Sequence, residues 1–84
     1  MYKISITRRA EKDIKKLDRA VKNRLVQSIL ELANEPRPHG SRKILSEEGV
    51  WRIRIGDWRV GYEITDATEE VTVIRVGHRS EFYS

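Results

Sequence analysis

Two alternating runs, Val50-Trp51-Arg52-Ile53-Arg54-Ile55 and Trp58-Arg59-Val60-Gly61-Tyr62, flank the dipeptide Gly56-Asp57. The pattern predicts a β-hairpin closed by a two-residue turn. With that turn Ile55 faces Trp58, Ile53 faces Val60 and Trp51 faces Tyr62, so six large side chains share one face. A slip of one residue would carry all six into water, so the register is tightly constrained. The other face then holds Arg52, Arg54 and Arg59, with Arg54 directly across from Arg59 and Glu63 opposite Val50.

The rest of the chain supplies a cover for the apolar face. Tyr2, Ile4 and Ile6 alternate with polar residues and predict an opening strand with one buried side. Thr7 is placed to cap a helix in which Ala10, Ile14 and Leu17 lie on one side. Asp18 is placed to cap a second helix, whose Val21, Leu25, Ile29 and Leu32 form an apolar stripe. Asn34 and Pro36 end it, because proline disfavours the helical conformation of the residue before it. A stiff loop from Pro36 to Ser41 leads into a strand at Arg42-Lys43-Ile44-Leu45 and a turn over Ser46 to Gly49. Beyond the hairpin, Val71 to Val76 predicts a last strand. There strict alternation puts Ile74, Val76 and His78 inward and Arg75 outward, with Gly77 a candidate bulge that would reset the direction just before His78 and Arg79. The order β-α-α-β-β-β-β is an α+β domain over residues 1–84, with an antiparallel-rich sheet covered on one face by two helices.

Composition excludes several classes. At 84 residues, only about 60% of the unfolded chain's surface can be buried, enough for two layers and one core. There is no cysteine, and His39 and His78 are too few and too distant to suggest zinc; neither metal nor cofactor is expected. No apolar run is long enough for a membrane span, and the first residues lack a secretory signal, so a cytoplasmic protein is expected. Lys and Arg number 17 against 13 acids, a net charge of +4 that favours polyanions or an acidic protein partner.

The arginine face gives that charge a location. Like charges directly across a strand pair destabilise a sheet, so juxtaposed arginines need either an anion or long splayed side chains in water. Guanidinium suits phosphate because its planar fork donates paired hydrogen bonds and stays charged. An anion site and a merely solvated face are both open on the hairpin alone. Trp51, Trp58 and Tyr62 are read as core, and the basic helical residues as either solvated or RNA-contacting.

The stretch from Val50 to Tyr62 resembles the central hairpin of RelE/ParE-superfamily toxins. The similarity extends through the opening strand, the basic helical hairpin and the closing Val76-Gly77-His78-Arg79-Ser80-Glu81-Phe82-Tyr83. Membership would imply a type II toxin–antitoxin module. In its RelE branch the toxin enters the ribosomal A site and cuts messenger RNA, and the antitoxin wraps the toxin and covers the basic site. Carried over by position, the implied site is Arg52, Arg54, Arg59, Arg79 and Tyr83, with His78 beside them. Some relatives have lysine where this chain has Arg52 and Arg54, and arginine cannot act as a base. The ParE branch poisons DNA gyrase and generally lacks this set, so the Arg, His and Tyr residues favour the RelE branch.

The expected reaction is attack of an RNA 2′-hydroxyl on the adjacent phosphate, without metal. Arg52, Arg54 and Arg59 would stabilise the added negative charge and hold the backbone in line. His78 carries an imidazole, the side-chain type suited to proton transfer near neutral pH, and is the proton-transfer candidate, or else a structural strand-end residue. Tyr83 would stack on a base, pack on the sheet or assist proton transfer. The expected partners are messenger RNA, the ribosome and a cognate antitoxin, with a monomeric free toxin and a higher-order complex. The alternatives are a gyrase poison, a nucleic-acid-binding module without catalysis, and a degenerate toxin that only binds antitoxin.

Overall fold

The computed structural model describes residues 1–82. The elements are β1 (Lys3–Ile6), α1 (Arg8–Lys15), α2 (Arg19–Glu31), β2 (Arg42–Lys43), β3 (Val50–Ile55), β4 (Trp58–Thr65), a 3₁₀ turn (Asp66–Thr68) and β5 (Glu70–His78). Both helices begin where a side-chain oxygen takes an orphan backbone N–H. The Ala10 N–H donates to Thr7 Oγ1 at 3.2 Å, and the Val21 N–H to Asp18 Oδ1 at 3.0 Å. With only Lys16 to Asp18 between them, the two helices form a compact hairpin against the sheet.

The sheet order is β1-β5-β4-β3-β2. Strands β2 to β5 pair antiparallel, whereas β1 runs parallel to β5, with Ile4 beside Val71 and Ile6 beside Val73. The helical crossover between β1 and the rest of the sheet makes that parallel pair possible. The hairpin adopts the register expected from its alternation, from Trp51 opposite Tyr62 to Ile55 opposite Trp58. Gly56 has φ 61° at the first central position of the turn, where type II′ geometry favours glycine.

The main core lies between sheet and helices. Ala10, Ile14, Leu25, Ile29 and Leu32 meet Ile53, Ile55, Val60, Tyr62, Val71, Val73 and Val76. The Tyr62 hydroxyl, fully enclosed, donates to the Pro36 carbonyl at 2.7 Å and ties the loop after α2 to the sheet. No described helix is long and apolar enough to cross a membrane.

Three local expectations are corrected. Ile6 is exposed rather than buried, because the chain turns into α1 immediately after it. The strand expected over Arg42 to Leu45 stops at Lys43, and Leu45 is 93% exposed in the following turn. The irregularity in β5 lies at Ile74 rather than Gly77: Gly61 pairs with Arg75 but Tyr62 pairs with Val73. That skip turns Ile74 away from the helices, and α1 accommodates the disturbed backbone. Thr7 Oγ1 donates to the Ile74 carbonyl at 3.2 Å, and the Val76 N–H donates to Asp13 Oδ2 at 3.0 Å.

Candidate functional site: the arginine face

Cross-strand partners project to the same face, so the register maps the arginines directly. One row across the sheet reads Arg54, Arg59, Gly77; the next reads Arg42, Arg52, Gly61, Arg75. Arg54 is exposed and Arg59 half-buried. Arg79 follows β5 at the same end, its N–H donating to the Asp57 carbonyl in the hairpin turn at 2.8 Å. Its Nε lies 3.8 Å from Asp57 Oδ1, an exposed and loose ion pair. Arg54, Arg59 and Arg79 thus gather around the tip of the hairpin.

The face is less open than the alternation alone implies. Ile44, Val50 and Phe82 form a second small core here, with Ile74 packed against it. Arg52 is only 9% exposed, so its guanidinium belongs to the floor of this face rather than to its surface. Arg75 is committed to Glu47 by a bidentate pair, Nη1 to Oε1 at 2.9 Å and Nη2 to Oε2 at 2.6 Å. That hydrogen-bonded guanidinium holds the Glu47 carboxyl below its usual range. The acid on this face that answers an arginine in this way is therefore Glu47, whereas alternation points to Glu63.

The C-terminal turn crosses the same face. Glu81 and Phe82 both donate backbone N–H bonds to the His78 carbonyl, at 2.8 and 2.9 Å. The turn delivers the Phe82 ring onto Gly61 and under Arg75, whose Cζ lies 4.7 Å from the ring centre. Phe82 is thus a site residue that strand periodicity does not find. The available signal is the pair of glycines at arginine-face positions of adjacent strands, where an outside side chain must fill the gap.

His78 stands apart from the arginine pair. It pairs with Trp58, so it projects to the helix-side face, and the two rings meet edge to face with centroids 5.5 Å apart. Its Nδ1 lies 2.9 Å from Ser80 Oγ and accepts from the Ser80 N–H at 3.3 Å. A shallow pocket of about 380 Å³ beside it is lined by Arg9, Asp13, Lys16 and Trp58. Tyr83 lies outside the described residues.

Two further basic residues border the site. The guanidinium of Arg24, from α2, comes within 3.7 Å of where a Cβ on Gly56 would stand. Arg42 joins Arg52 and Arg54 in lining a cleft of about 600 Å³ between the end of α2 and the outer edge of β3. Glu31 and Glu35 line the same cleft, so it is mixed in charge. At the far end of the molecule, Arg37 reaches Asp66 at 2.9 Å, and the Tyr2 hydroxyl donates to the same carboxylate at 2.6 Å. Both bonds depress the Asp66 pKa, Arg37 the more strongly. Tyr62 lies enclosed on the helix-side face, and burial pushes its pKa up to about 12.

The chain is similar along its length to known toxins. Residues 4–83 match the family described as ParE toxin of type II toxin-antitoxin system, parDE. Toxin RelE of Mycobacterium tuberculosis is 31% identical over 83 residues, covering 98% of this chain and 86% of that protein. The crystal structure of the RelBE2 toxin–antitoxin complex from the same organism superposes with a TM-score of 0.81. It is 28% identical and covers 93% of this chain and 98% of that one. The isolated E. coli RelE toxin also gives a TM-score of 0.81 at 28% identity, over 99% of this chain and 92% of that one. Arginine hairpin, helical cover and family match agree: the chain belongs to the RelE/ParE superfamily and is a toxin of a type II toxin–antitoxin system.

Proposed function

We propose that this toxin is a metal-independent endoribonuclease that cuts messenger RNA in the ribosomal A site and so stops translation. The observation that carries the reading is the juxtaposition of Arg54 and Arg59 at the hairpin tip, beside Arg79. A repulsive pair of permanent cations on a pleated sheet is relieved by a bound phosphate. The 2′-oxygen loses its proton and forms a bond to phosphorus, the bond to the 5′-oxygen then breaks as that oxygen takes up a proton, and negative charge builds on the non-bridging oxygens between the two events. Guanidiniums fixed on strands meet that charge with little reorganisation. They also hold the phosphate in line with the attacking oxygen. Arg52, buried beneath, supports the cluster from its floor. No arginine removes the 2′-proton at neutral pH. Proton transfer falls to Tyr83, to the RNA and ribosome, or to His78 if the RNA reaches round the strand end.

The same reading assigns a cognate antitoxin that covers the arginine face, in the cytoplasm, with a monomeric free toxin and a higher-order complex. Similar solved structures from Mycobacterium tuberculosis, E. coli and Methanococcus jannaschii are toxin–antitoxin complexes, which supports that partner. Because the contact is charge-driven, complex formation should weaken as salt rises.

A second reading is favoured by one observation, the match to the ParE family description. In it the same face binds DNA gyrase instead of cutting RNA. Induction in bacteria, with mapping of messenger 5′ ends and a supercoiling assay in parallel, separates the two. New 5′ ends within codons with normal supercoiling support RNA cleavage; inhibited supercoiling with intact messages overturns it.

A further inference from the structure

Phe82 carries no charge, yet it organises the charged groups around it. Phe82 is 4% exposed. It occupies the gap that Gly61 leaves on the arginine face: a Cβ on Gly61 would stand 3.0 Å from Phe82 Cζ and 3.4 Å from Arg75 Cγ. Gly77, in the neighbouring row, lies under the Phe82 backbone, with a Cβ there 3.7 Å from Phe82 Cα. Arg75 closes over the ring and is itself held by Glu47, so the β2–β3 turn, β5 and the C-terminal turn lock together around one aromatic side chain. Ile44 and Val50 complete the enclosure.

The consequence falls on Arg79. The tight turn from His78 to Phe82 is held at both ends, by the hydrogen bonds to the His78 carbonyl and by the buried ring. Arg79 sits inside that turn, anchored by its N–H to the Asp57 carbonyl of the hairpin tip. Its side chain makes a loose contact to Asp57, too weak to aim it, so the direction in which it leaves the sheet is set by the backbone. We propose that Phe82 is a positioning residue. By filling the slot over Gly61 it fixes the turn that presents Arg79 beside Arg54 and Arg59, and its own ring touches no substrate. The inference rests on the RNA-cleavage reading and adds to it an apolar anchor on which the charged site depends. Packed interiors transmit displacement: losing the ring frees the turn, and an error of about 1 Å at a reacting centre is enough to cost about 10²-fold in rate.

The test is single-turnover cleavage of messenger RNA on programmed ribosomes, with separate titration of an uncleavable 2′-O-methyl message. The variants are Phe82→Ala, Phe82→Leu and Gly61→Ala, each checked for a cooperative thermal transition above the assay temperature. The expected result is a rate constant lowered about 10²-fold by Phe82→Ala with binding of the uncleavable message little changed. Phe82→Leu, which refills most of the slot, should recover much of that loss. Gly61→Ala, which pushes the ring without removing it, should fall between. A merely structural role would lower the folded fraction and leave the rate per folded molecule intact. Phe82→Ala that cleaves at the wild-type rate, or that loses only binding, overturns the inference while leaving the cleavage reading standing. If Phe82→Ala does not fold, Phe82→Leu and Gly61→Ala decide: a wild-type rate in both overturns the inference, and a graded loss supports it. A wild-type chain that cleaves no message overturns the cleavage reading itself, and the inference with it.

Discussion

Arg54 and Arg59 face each other directly across the β3–β4 ladder, two permanent cations on one pleat. The folded chain tolerates this arrangement because the hairpin's other face is deep in the main core, and a slip to separate the charges would expose Trp51, Ile53, Ile55, Val60 and Tyr62. Sheet stability and the proposed anion binding are therefore in opposition at this site.

That opposition predicts a signature. Arg54→Ala or Arg59→Ala should lower message cleavage by about 10²–10³-fold, the usual loss on removing one charge-stabilising donor. Arg54→Ala should not lower thermal stability, and a gain of up to about 1 kcal/mol is expected from removing the repulsion. For Arg59→Ala that gain is offset by loss of the bond from Nη1 to the Trp58 carbonyl, 3.4 Å long. Cleavage kinetics and thermal melts on the same preparations check both halves. An exchange that leaves cleavage intact, or that unfolds the chain, would show that the pair is not the anion site.

Arg52 should behave differently despite sharing the face. It is buried among the floor residues, and its aliphatic stem packs as well as carrying charge. Arg52→Ala should therefore cost about 1–3 kcal/mol of stability, and Arg52→Met, which keeps much of the stem, should cost less. Chemical denaturation of the three proteins distinguishes this from the Arg54 and Arg59 behaviour. If Arg52→Ala is as stable as wild type, Arg52 acts as a surface ligand like its neighbours.

The difference between Arg52 and Arg54 also marks how far sequence can be read. Periodicity fixes which residues of the hairpin share a face, and the caps at Thr7 and Asp18 start the helices through bonds made within three residues. Those are local effects, and they are legible. What covers the arginine face is set by Phe82, Ile44 and Glu47, which arrive from distant parts of the chain. The skip at Ile74 likewise depends on Thr7 and Asp13, more than sixty residues away in sequence. Alternation within β5 carries no trace of them, so it places Ile74 on the wrong face. Gly61 and Gly77 are the one written clue to the covered face, since a bare position beside arginines needs something to fill it.

Acid should loosen the Glu47–Arg75 and Asp66–Arg37 contacts together. Glu47 is held below its usual pKa by Arg75, and Asp66 by Arg37 and Tyr2. For a carboxyl whose folded pKa is depressed, the stabilisation is fully present above the unfolded value and is lost as pH falls through the folded one. Stability should thus hold above about pH 5 and decline from about pH 4 downward. Glu47→Gln and Asp66→Asn should each be less stable than wild type at neutral pH and converge with it in acid. Melts across a pH series check this, and parallel curves at all pH values would show that neither carboxylate contributes.

His78 supplies the sharpest separation between resemblance and geometry. It lies at the end of β5 beside the basic cluster in sequence, and imidazole titrates in the range suited to proton transfer. The register nevertheless turns it to the helix-side face, edge-on to Trp58, with Nδ1 engaged by Ser80. From there the ring is separated from the Arg54–Arg59 pair by the sheet itself. His78→Gln should therefore leave single-turnover cleavage and its pH profile close to wild type, well short of the roughly 10²-fold loss that marks removal of a general acid or base. Its effect should appear in stability instead: losing the edge-to-face contact costs about 0.5–1.5 kcal/mol, and Trp58 fluorescence should report the change. The cleavage pH series on programmed ribosomes decides between the two. A flattened profile with a rate loss above about 10²-fold, in a variant that melts like wild type, would return His78 to the reacting centre and require the RNA to wrap the end of β5.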